Sequence, residues 1–568
     1  MNAVTGLEEK LRGSFRYLAE GQPVGTLHGA LLTSPLAHAT IRRLDVSAAR
    51  SLNGVHAVVT AADVPSDFVM GTAILDRPPL ARGKIRFQGE PMAAVAAETQ
   101  EIANAAIALI AFELEPLPIV SAPGDALNEG AAKLHDSGNL CSSFIYSRGK
   151  VDADFEECAH VIDHRLTTPR QVPAAMELEG GICIPSPTGI ELRAATHSPF
   201  YTRSLIASML GLPERDVRVI GSPIGGSYGG KEEIHIQPVL ALLAWTARRP
   251  VRLILDRPQS MAFATTRHPF EIALKIGCDR AGRLLALAAD VLVDNGAYAS
   301  FGPEVLDTGM ECIQSAYAFK SVSLRGRLAY TNNGVGGAFR GFGALQTLTA
   351  IELAVDILAR KAGHNPLTFR RINLAGANDP GPLGQAIIPQ PELPKVADAL
   401  SALPDWHDAK ASQRYLSGTG YALVRKGEGF AGGGPNGASG VLALTLDGQV
   451  TFQSSLVEMG QGLESTVRNI LLASFDLGDA DICCATGSTD AGADSGPTSA
   501  SRGTQIALRL IRAGKMPFLE KLYVGAAEIL QVPMDALRLG PGGFYQRMAP
   551  QNKPDLSLSD LAASAGEI

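Results

Sequence analysis

No two cysteines in this chain are spaced C-x-x-C. The seven, Cys141, Cys158, Cys183, Cys278, Cys312, Cys483 and Cys484, are scattered. Iron–sulfur clusters and structural zinc need grouped thiolates. No redox cluster is therefore expected on this polypeptide, and the thiols read as free in a reducing compartment. Long apolar runs are missing too. Ala105–Phe112 is among the longest, far short of the ~20 residues that span a bilayer. The segment Met1–Ser14 mixes Glu, Lys and Arg and has no apolar stretch of the kind a secretory signal carries. The reading is a cytoplasmic chain without a membrane span. A basic stripe is also absent: 50 Lys and Arg stand against 57 Asp and Glu, a net charge of −7. That argues against nucleic acid or an anionic membrane as partner.

What is present is a globular chain too long for one core. Its 568 residues suggest three or four units at about 150 residues each. Alternation and turn residues predict strands at 26–32, 56–60, 91–97, 190–195, 217–220, 251–255 and 284–293. Helical periodicity predicts helices at 101–110, 202–210, 232–246, 345–362, 463–475, 500–513 and 517–530. The proline-rich stretch 114–123 reads as an extended linker. Segments 440–446 and 449–455 flank Asp447-Gly448, a hairpin signal. The fold class is mixed α/β and multidomain.

Four glycine- or serine-rich loops stand out. Gly225-Gly226-Ser227-Tyr228-Gly229-Gly230-Lys231-Glu232 lies between a strand and an expected helix. It nearly matches the phosphate-binding G-x-x-x-x-G-K-[ST] pattern, but Glu232 puts a negative charge where a magnesium-ligating hydroxyl belongs. A nucleotide-hydrolysing reading is therefore weak, and a tight turn without ligand weighs equally. The second loop, Gly336–Gly343, sets Arg340, Phe339 and Phe342 among glycines. Glycine lets a backbone approach a ligand, and arginine grips oxyanions with two parallel bonds. The third, Glu458-Met459-Gly460-Gln461-Gly462-Leu463, and the fourth, Pro497–Gly503, open expected helices. Helix starts can cradle anions. Their recurrence points to one large polyanionic cofactor between domains.

These loops, in this order, resemble the molybdopterin subunit of the xanthine dehydrogenase/aldehyde oxidase family. The resemblance covers essentially the whole chain, from Gly25–Ala30, Ala37–Ala39 and Gly54–Val58 through Gly89-Glu90-Pro91. It is most specific at Tyr330–Gly334 and Ala338–Gly343, and the chain looks most like the molybdenum subunit of bacterial multi-subunit xanthine dehydrogenases. The resemblance implies a small N-terminal α/β hammerhead-type domain at 1–135 and two elongated molybdopterin-binding domains at 136–385 and 386–568, the last incomplete. It implies a molybdenum pterin, with or without a cytosine nucleotide, and partner chains carrying 2Fe-2S clusters and FAD.

Residue by residue, Gly225, Gly226 and Tyr228 match the loop that faces the metal, with Tyr in place of the usual Phe. Arg340, Met459, Gly460, Gln461, Ala500 and Ser501 match positions that hold the pterin and its phosphate. Glu232 matches an acid that binds the ring of a purine, Phe342 an aromatic that packs on it, and Phe430 a partner for the other face. His197 stands where relatives place a Gln near the metal; it is read as packing or capping, and no protein metal ligand is expected. An arginine that orients purines in relatives falls near Thr308, which cannot replace it, and Glu311 takes part of that role. Position 341 is Gly where carbon-monoxide-oxidising relatives carry Cys. The family's general base, a glutamate in a Gly-Glu-Pro-like motif, falls beyond Ile568; Gly89-Glu90-Pro91 lies in the wrong domain. Three functions stand: a purine or N-heteroaromatic hydroxylase subunit, an aldehyde-oxidising member, and a fragment needing a second chain for its base. Glu232 and Phe342 favour the first.

Overall fold

The computed structural model describes residues 6–376, 378–386, 392–402, 420, 422–427, 429–430, 436–548 and 553–565. Two large sheets and a smaller third layer carry the chain, each with its own apolar core.

The first sheet has seven strands, ordered 217–220, 190–194, 180–185, 251–254, 27–33, 91–97 and 55–60. Strand Leu27–Thr33 runs parallel to Val251–Ile254, with Leu27 opposite Val251, and antiparallel to Pro91–Ala97. The sheet thus crosses the boundary expected at 135. Pro91–Ala97 is buried along its whole length, as suits a strand covered on both faces. Helix Gln237–Ala247 lies in the same core, with every residue from Gln237 to Ala244 buried.

The second sheet orders 160–167, 270–278, 284–296, 321–330 and 140–148. Helices Gly302–Cys312 and Ala344–Lys361 pack on it through Val305, Leu306, Met310, Ile351, Val355 and Leu358, all buried. In the third region Val441–Leu444 and Val450–Ser454 form the expected hairpin. Helices Leu463–Ser474 and Gly503–Leu530 cover it.

Three expectations are corrected. The helix predicted at 232–246 starts at Gln237; residues 228–231 turn instead, so Glu232 is not a helix-start acid. The stretch read as a linker from 114 is strand up to Pro116, where Ala111–Pro116 pairs with Ala39–Asp45. The two helices predicted on either side of Gly514 are one, Gly503–Leu530, with Pro517 inside it. Proline costs an intrahelical hydrogen bond. Ile506, Ala507, Ile511, Phe518, Leu522 and Ala526 all stay in one core, and that burial outweighs the local penalty.

Candidate cofactor and substrate site

A cavity of about 1620 Å³ lies where the three regions meet. Backbone bonds join its walls: Gly221 donates to Gly487, Ile224 to Glu458, Thr498 to His197 and Arg340 to Tyr228. Every residue singled out in the sequence lines this one cavity: Gly225, Gly226, Tyr228, Glu232, Glu311, Arg340, Phe342, Phe430, Met459, Gly460, Gln461, Ala500 and Ser501. His197, Thr308 and Gly341 line it as well. Glu90 does not; it is buried elsewhere against Tyr298 and the Arg86 N–H.

The first loop is shaped by its backbone. Gly226, Tyr228 and Gly229 have φ of 96°, 56° and 98°. A side chain at Gly229 would press on the Phe339 backbone at 3.0 Å. Glu177 anchors the loop, accepting from the Gly225 N–H at 2.8 Å and from Lys231 Nζ at 2.9 Å. Lys231 is 2% exposed on its side chain and committed to that pair, so it is not the phosphate-binding lysine of the near-matching motif. Tyr228 is half exposed at the cavity wall.

The second loop is clamped by Arg267. Its guanidinium lies 3.9 Å from the Phe339 ring centroid, and it donates to the Arg340 carbonyl at 2.9 Å and to Gln171 at 2.8 Å. Phe342, at φ 51°, meets Phe301 edge to face with centroids 5.9 Å apart. The third loop is capped by its own acid: Glu458 accepts the N–H groups of Gly460, Gly462 and Glu464 at 2.7–3.2 Å. Those amides are already partnered, so this helix start is not an open anion cradle. The fourth loop turns through Ala500 and Ser501, at φ 51° and 58°, and opens the long helix without a side-chain cap. Phe430 packs on Arg502, 4.9 Å from guanidinium to centroid, and that arginine also donates to the Gly437 carbonyl at 2.7 Å.

Electrostatically the cavity has an acidic side. The side chain of Glu232 is 10% exposed. Burial is the main cause that lifts it to about 8; the Ser499 side chain, the next-largest influence, opposes the rise, and Glu233 and Glu304 add smaller contributions to it. Glu232 therefore holds its proton at neutral pH. His197, 2% exposed, is lowered to about 3 by burial and, less, by Lys231, and is neutral. Helix Gly302–Cys312 turns Glu304, Asp307 and Glu311 toward the cavity, and burial raises all three. Glu304, Asp307, Ser227, Glu177 and Arg502 were not foreseen. The signal for the first two was available in their i, i+3, i+7 spacing with Glu311, which puts all three on one face if the stretch is helical, as helix Gly302–Cys312 is.

The chain has recognisable relatives among known proteins. The aldehyde oxidase and xanthine dehydrogenase a/b hammerhead domain matches residues 12–118, and the molybdopterin cofactor-binding domain matches 134–374 and 398–568. The chain is 37% identical over 540 residues to a subunit of a probable xanthine dehydrogenase from Bacillus subtilis, covering 95% of this chain and 72% of that one. It is 32% identical over 366 residues to the nicotinate dehydrogenase large molybdopterin subunit of Eubacterium barkeri, covering 64% and 86%. Among solved structures, quinoline 2-oxidoreductase of Pseudomonas putida superposes with a TM-score of 0.81 at 26% identity, over 98% of this chain and 75% of that one. Aldehyde oxidoreductase of Desulfovibrio gigas superposes at 0.80 and 25%; 93% of this chain spans 61% of that enzyme.

Proposed function

The chain belongs to the xanthine dehydrogenase/aldehyde oxidase family as a molybdopterin-binding subunit, and from that premise we propose that it carries the substrate site of a hydroxylase acting on a purine, such as hypoxanthine or xanthine, or a related N-heteroaromatic ring. The observation that carries this reading is Glu232: a buried acid, held neutral, in the same cavity as the Phe342 ring. A flat ring with polar edge atoms needs both, a face to stack on and a hydrogen-bonding group on the edge where charge builds during attack.

The walls fit a pterin cofactor. Buried atoms on the cavity lining have no protein partner, among them Ser499 Oγ and Arg502 Nε, and buried polar atoms rarely stay unpaired. Arg340, exposed on the wall, offers a forked cation for phosphate. Gly225, Gly226 and Tyr228 would face the metal end. Met459, Gly460, Gln461, Ala500 and Ser501 would line the pterin and its phosphate. The volume leaves room beyond a single small ligand, and the reading includes a cytosine-nucleotide form. When bound, the group supplies two-electron redox chemistry and oxygen transfer. Glu232 binds and orients the ring, Phe342 stacks on it with Phe301 behind, and Phe430 bounds the other side.

Electrons must then leave the chain. Its seven cysteines are free and dispersed, and no His/Cys/Asp/Glu group that could hold a metal occurs among the described residues. The reading therefore places 2Fe-2S clusters and FAD on partner subunits. The test is molybdenum content, by elemental analysis, of this chain co-expressed with such partners, followed by turnover of hypoxanthine, xanthine and aldehydes. Near-stoichiometric metal with heteroaromatic oxidation supports the proposal. Oxidation of aldehydes alone would move the chain to the aldehyde-oxidising branch, and absence of metal would overturn the cofactor role.

A further inference from the structure

We propose that Glu233 is a positioning residue for the substrate site: its buried carboxylate fastens the loop that carries Glu232 to the loop that carries Phe342, and it sets a fixed negative charge beside Glu232. The proposal rests on the functional reading above and concerns a residue that does not itself line the cavity.

Three observations lead to it. First, one carboxylate oxygen, Oε1, gathers donors from two separate segments. It accepts the Phe301 N–H and the Ala338 N–H, each at 3.3 Å, and the Ser300 hydroxyl. Phe301 stands edge to face against the Phe342 ring, and Ala338 leads into Phe339–Phe342. Second, the second loop leaves room for that carboxylate. A Cβ at Gly337 would be driven into both of its oxygens, so only glycine lets the loop backbone come this close. Third, Glu233 follows Glu232 directly. With one side chain anchored inside the protein, its neighbour is held toward the cavity that it lines.

Three donors on one oxygen suit an ionised acid. Glu233 is 8% exposed, so its charge needs a counterpart within the protein. Strand Leu75–Arg77 of the N-terminal region supplies one. Arg77 is 6% exposed and lies over the Phe263 ring, 5.0 Å from its centroid. His235 Nε2 stands 3.5 Å from the other oxygen, Oε2. Burial works against the charged form, but His235, Ser300 and Arg77 outweigh it and hold Glu233 below the usual carboxylate range. The other ionisable groups that feel this charge are Glu232, Glu304 and His268. Burial is the largest influence that keeps the proton on Glu232, and the charge on Glu233 acts in the same direction, because adjacent like charges oppose a second ionisation. One buried anion thus both braces the wall and favours the neutral acid that meets the ring.

The test separates the contact from the charge. Glu233→Asp keeps the charge and withdraws it by one methylene. Glu233→Gln keeps the length and an acceptor oxygen and removes the charge. Gly337→Ala keeps Glu233 in the chain and fills the space of its carboxylate. Each variant is assembled with its partner subunits and checked for molybdenum content and thermal midpoint. The kcat/KM for hypoxanthine is then followed from about pH 6 to about pH 9, which reports the groups of the free enzyme. Glu233→Asp and Gly337→Ala are expected to lower kcat/KM about tenfold or more, and Glu233→Asp should keep the wild-type profile shape. Glu233→Gln should stay within about threefold of wild type at the acid end, where Glu232 is protonated in both, and lose about a further twofold or more by pH 8. Titration of the substrate and of other enzyme groups is common to all and cancels in that comparison. A role in folding alone would lower the thermal midpoint and leave the Glu233→Gln profile parallel to wild type; that result would overturn the proposal. So would an unchanged kcat/KM in both Glu233→Asp and Gly337→Ala, and those two decide it should Glu233→Gln not fold. A wild-type enzyme that takes up molybdenum but oxidises no heteroaromatic ring overturns the functional reading and this proposal with it. Normal turnover in the wild type, unaltered in every variant, overturns this proposal alone.

Discussion

Arg267 and Phe339 form the clamp on the second loop, guanidinium against ring at 3.9 Å, with the same arginine holding the Arg340 carbonyl. Lysine keeps the charge but loses the planar fork that does both tasks. Arg267→Lys is expected to lower stability by about 1–2 kcal/mol and to raise KM for the substrate several-fold by loosening Arg340 and Phe342. Steady-state kinetics and denaturant unfolding check it; an unchanged KM would show that the loop does not depend on the clamp.

A pH dependence follows from Glu232 and His197. Glu232 is raised to about 8, so the folded state keeps a proton that the unfolded chain releases near its ordinary value; stability from this group falls as pH rises toward 8. His197 is lowered to about 3, so the unfolded chain binds the extra proton below about 6.5 and stability from it rises with pH up to there. The two oppose one another at acid pH and leave Glu232 alone between about 6.5 and 8. Over that window the cofactor-free protein should lose up to about 2 kcal/mol. Glu232→Gln should flatten that slope and raise the thermal midpoint at pH 8, read by calorimetry at several pH values.

The acidic helix face has a consequence for charge selection. Glu304, Asp307 and Glu311 line the cavity with Thr308 between them, and ligands of negative charge meet an opposing field. Asp307→Asn combined with Glu311→Gln should improve binding of an anionic ring such as nicotinate by roughly three- to tenfold, and that of neutral hypoxanthine by less. The gain should shrink as salt is raised. Competition assays at two ionic strengths would measure it.

Gly343 joins the second loop to helix Ala344–Lys361 at φ 88°, and a Cβ there would be driven into the Val305 carbonyl. Gly343→Ala is expected to cost about 3 kcal/mol or more and to disturb Phe342. Chemical denaturation checks the first effect and substrate KM the second.

Much of this fold was legible because local and long-range preferences agree. Pro91–Ala97, Val217–Ile220 and Leu284 as a strand start are β-rich runs between turn residues, and the structure places them there. Where the two levels conflict, local reading failed. Gly514 and Pro517 look like a break, yet the apolar stripe on both sides of them serves one core. Residues 232–236 read as the start of a helix, but the loop before them turns through Gly226, Tyr228 and Gly229 at positive φ, and the helix begins only at Gln237. The site was legible in the glycine loops and in Glu232, whose chemistry is carried by single letters. The roles of Ser227, Glu177 and Arg502 were not, because each depends on a partner distant in sequence: His197, Lys231 and Phe430.

The shared seven-stranded sheet also bears on how the chain is made. Leu27–Thr33 cannot complete its pairing until Val251–Ile254 has been synthesised, a delay on the order of ten seconds or more at ordinary elongation speeds. During that interval the nascent chain exposes an apolar strand edge of the kind that templates aggregation. Production of the protein should therefore depend on chaperone supply during translation, and a nascent chain stalled before residue 251 should be the aggregation-prone species.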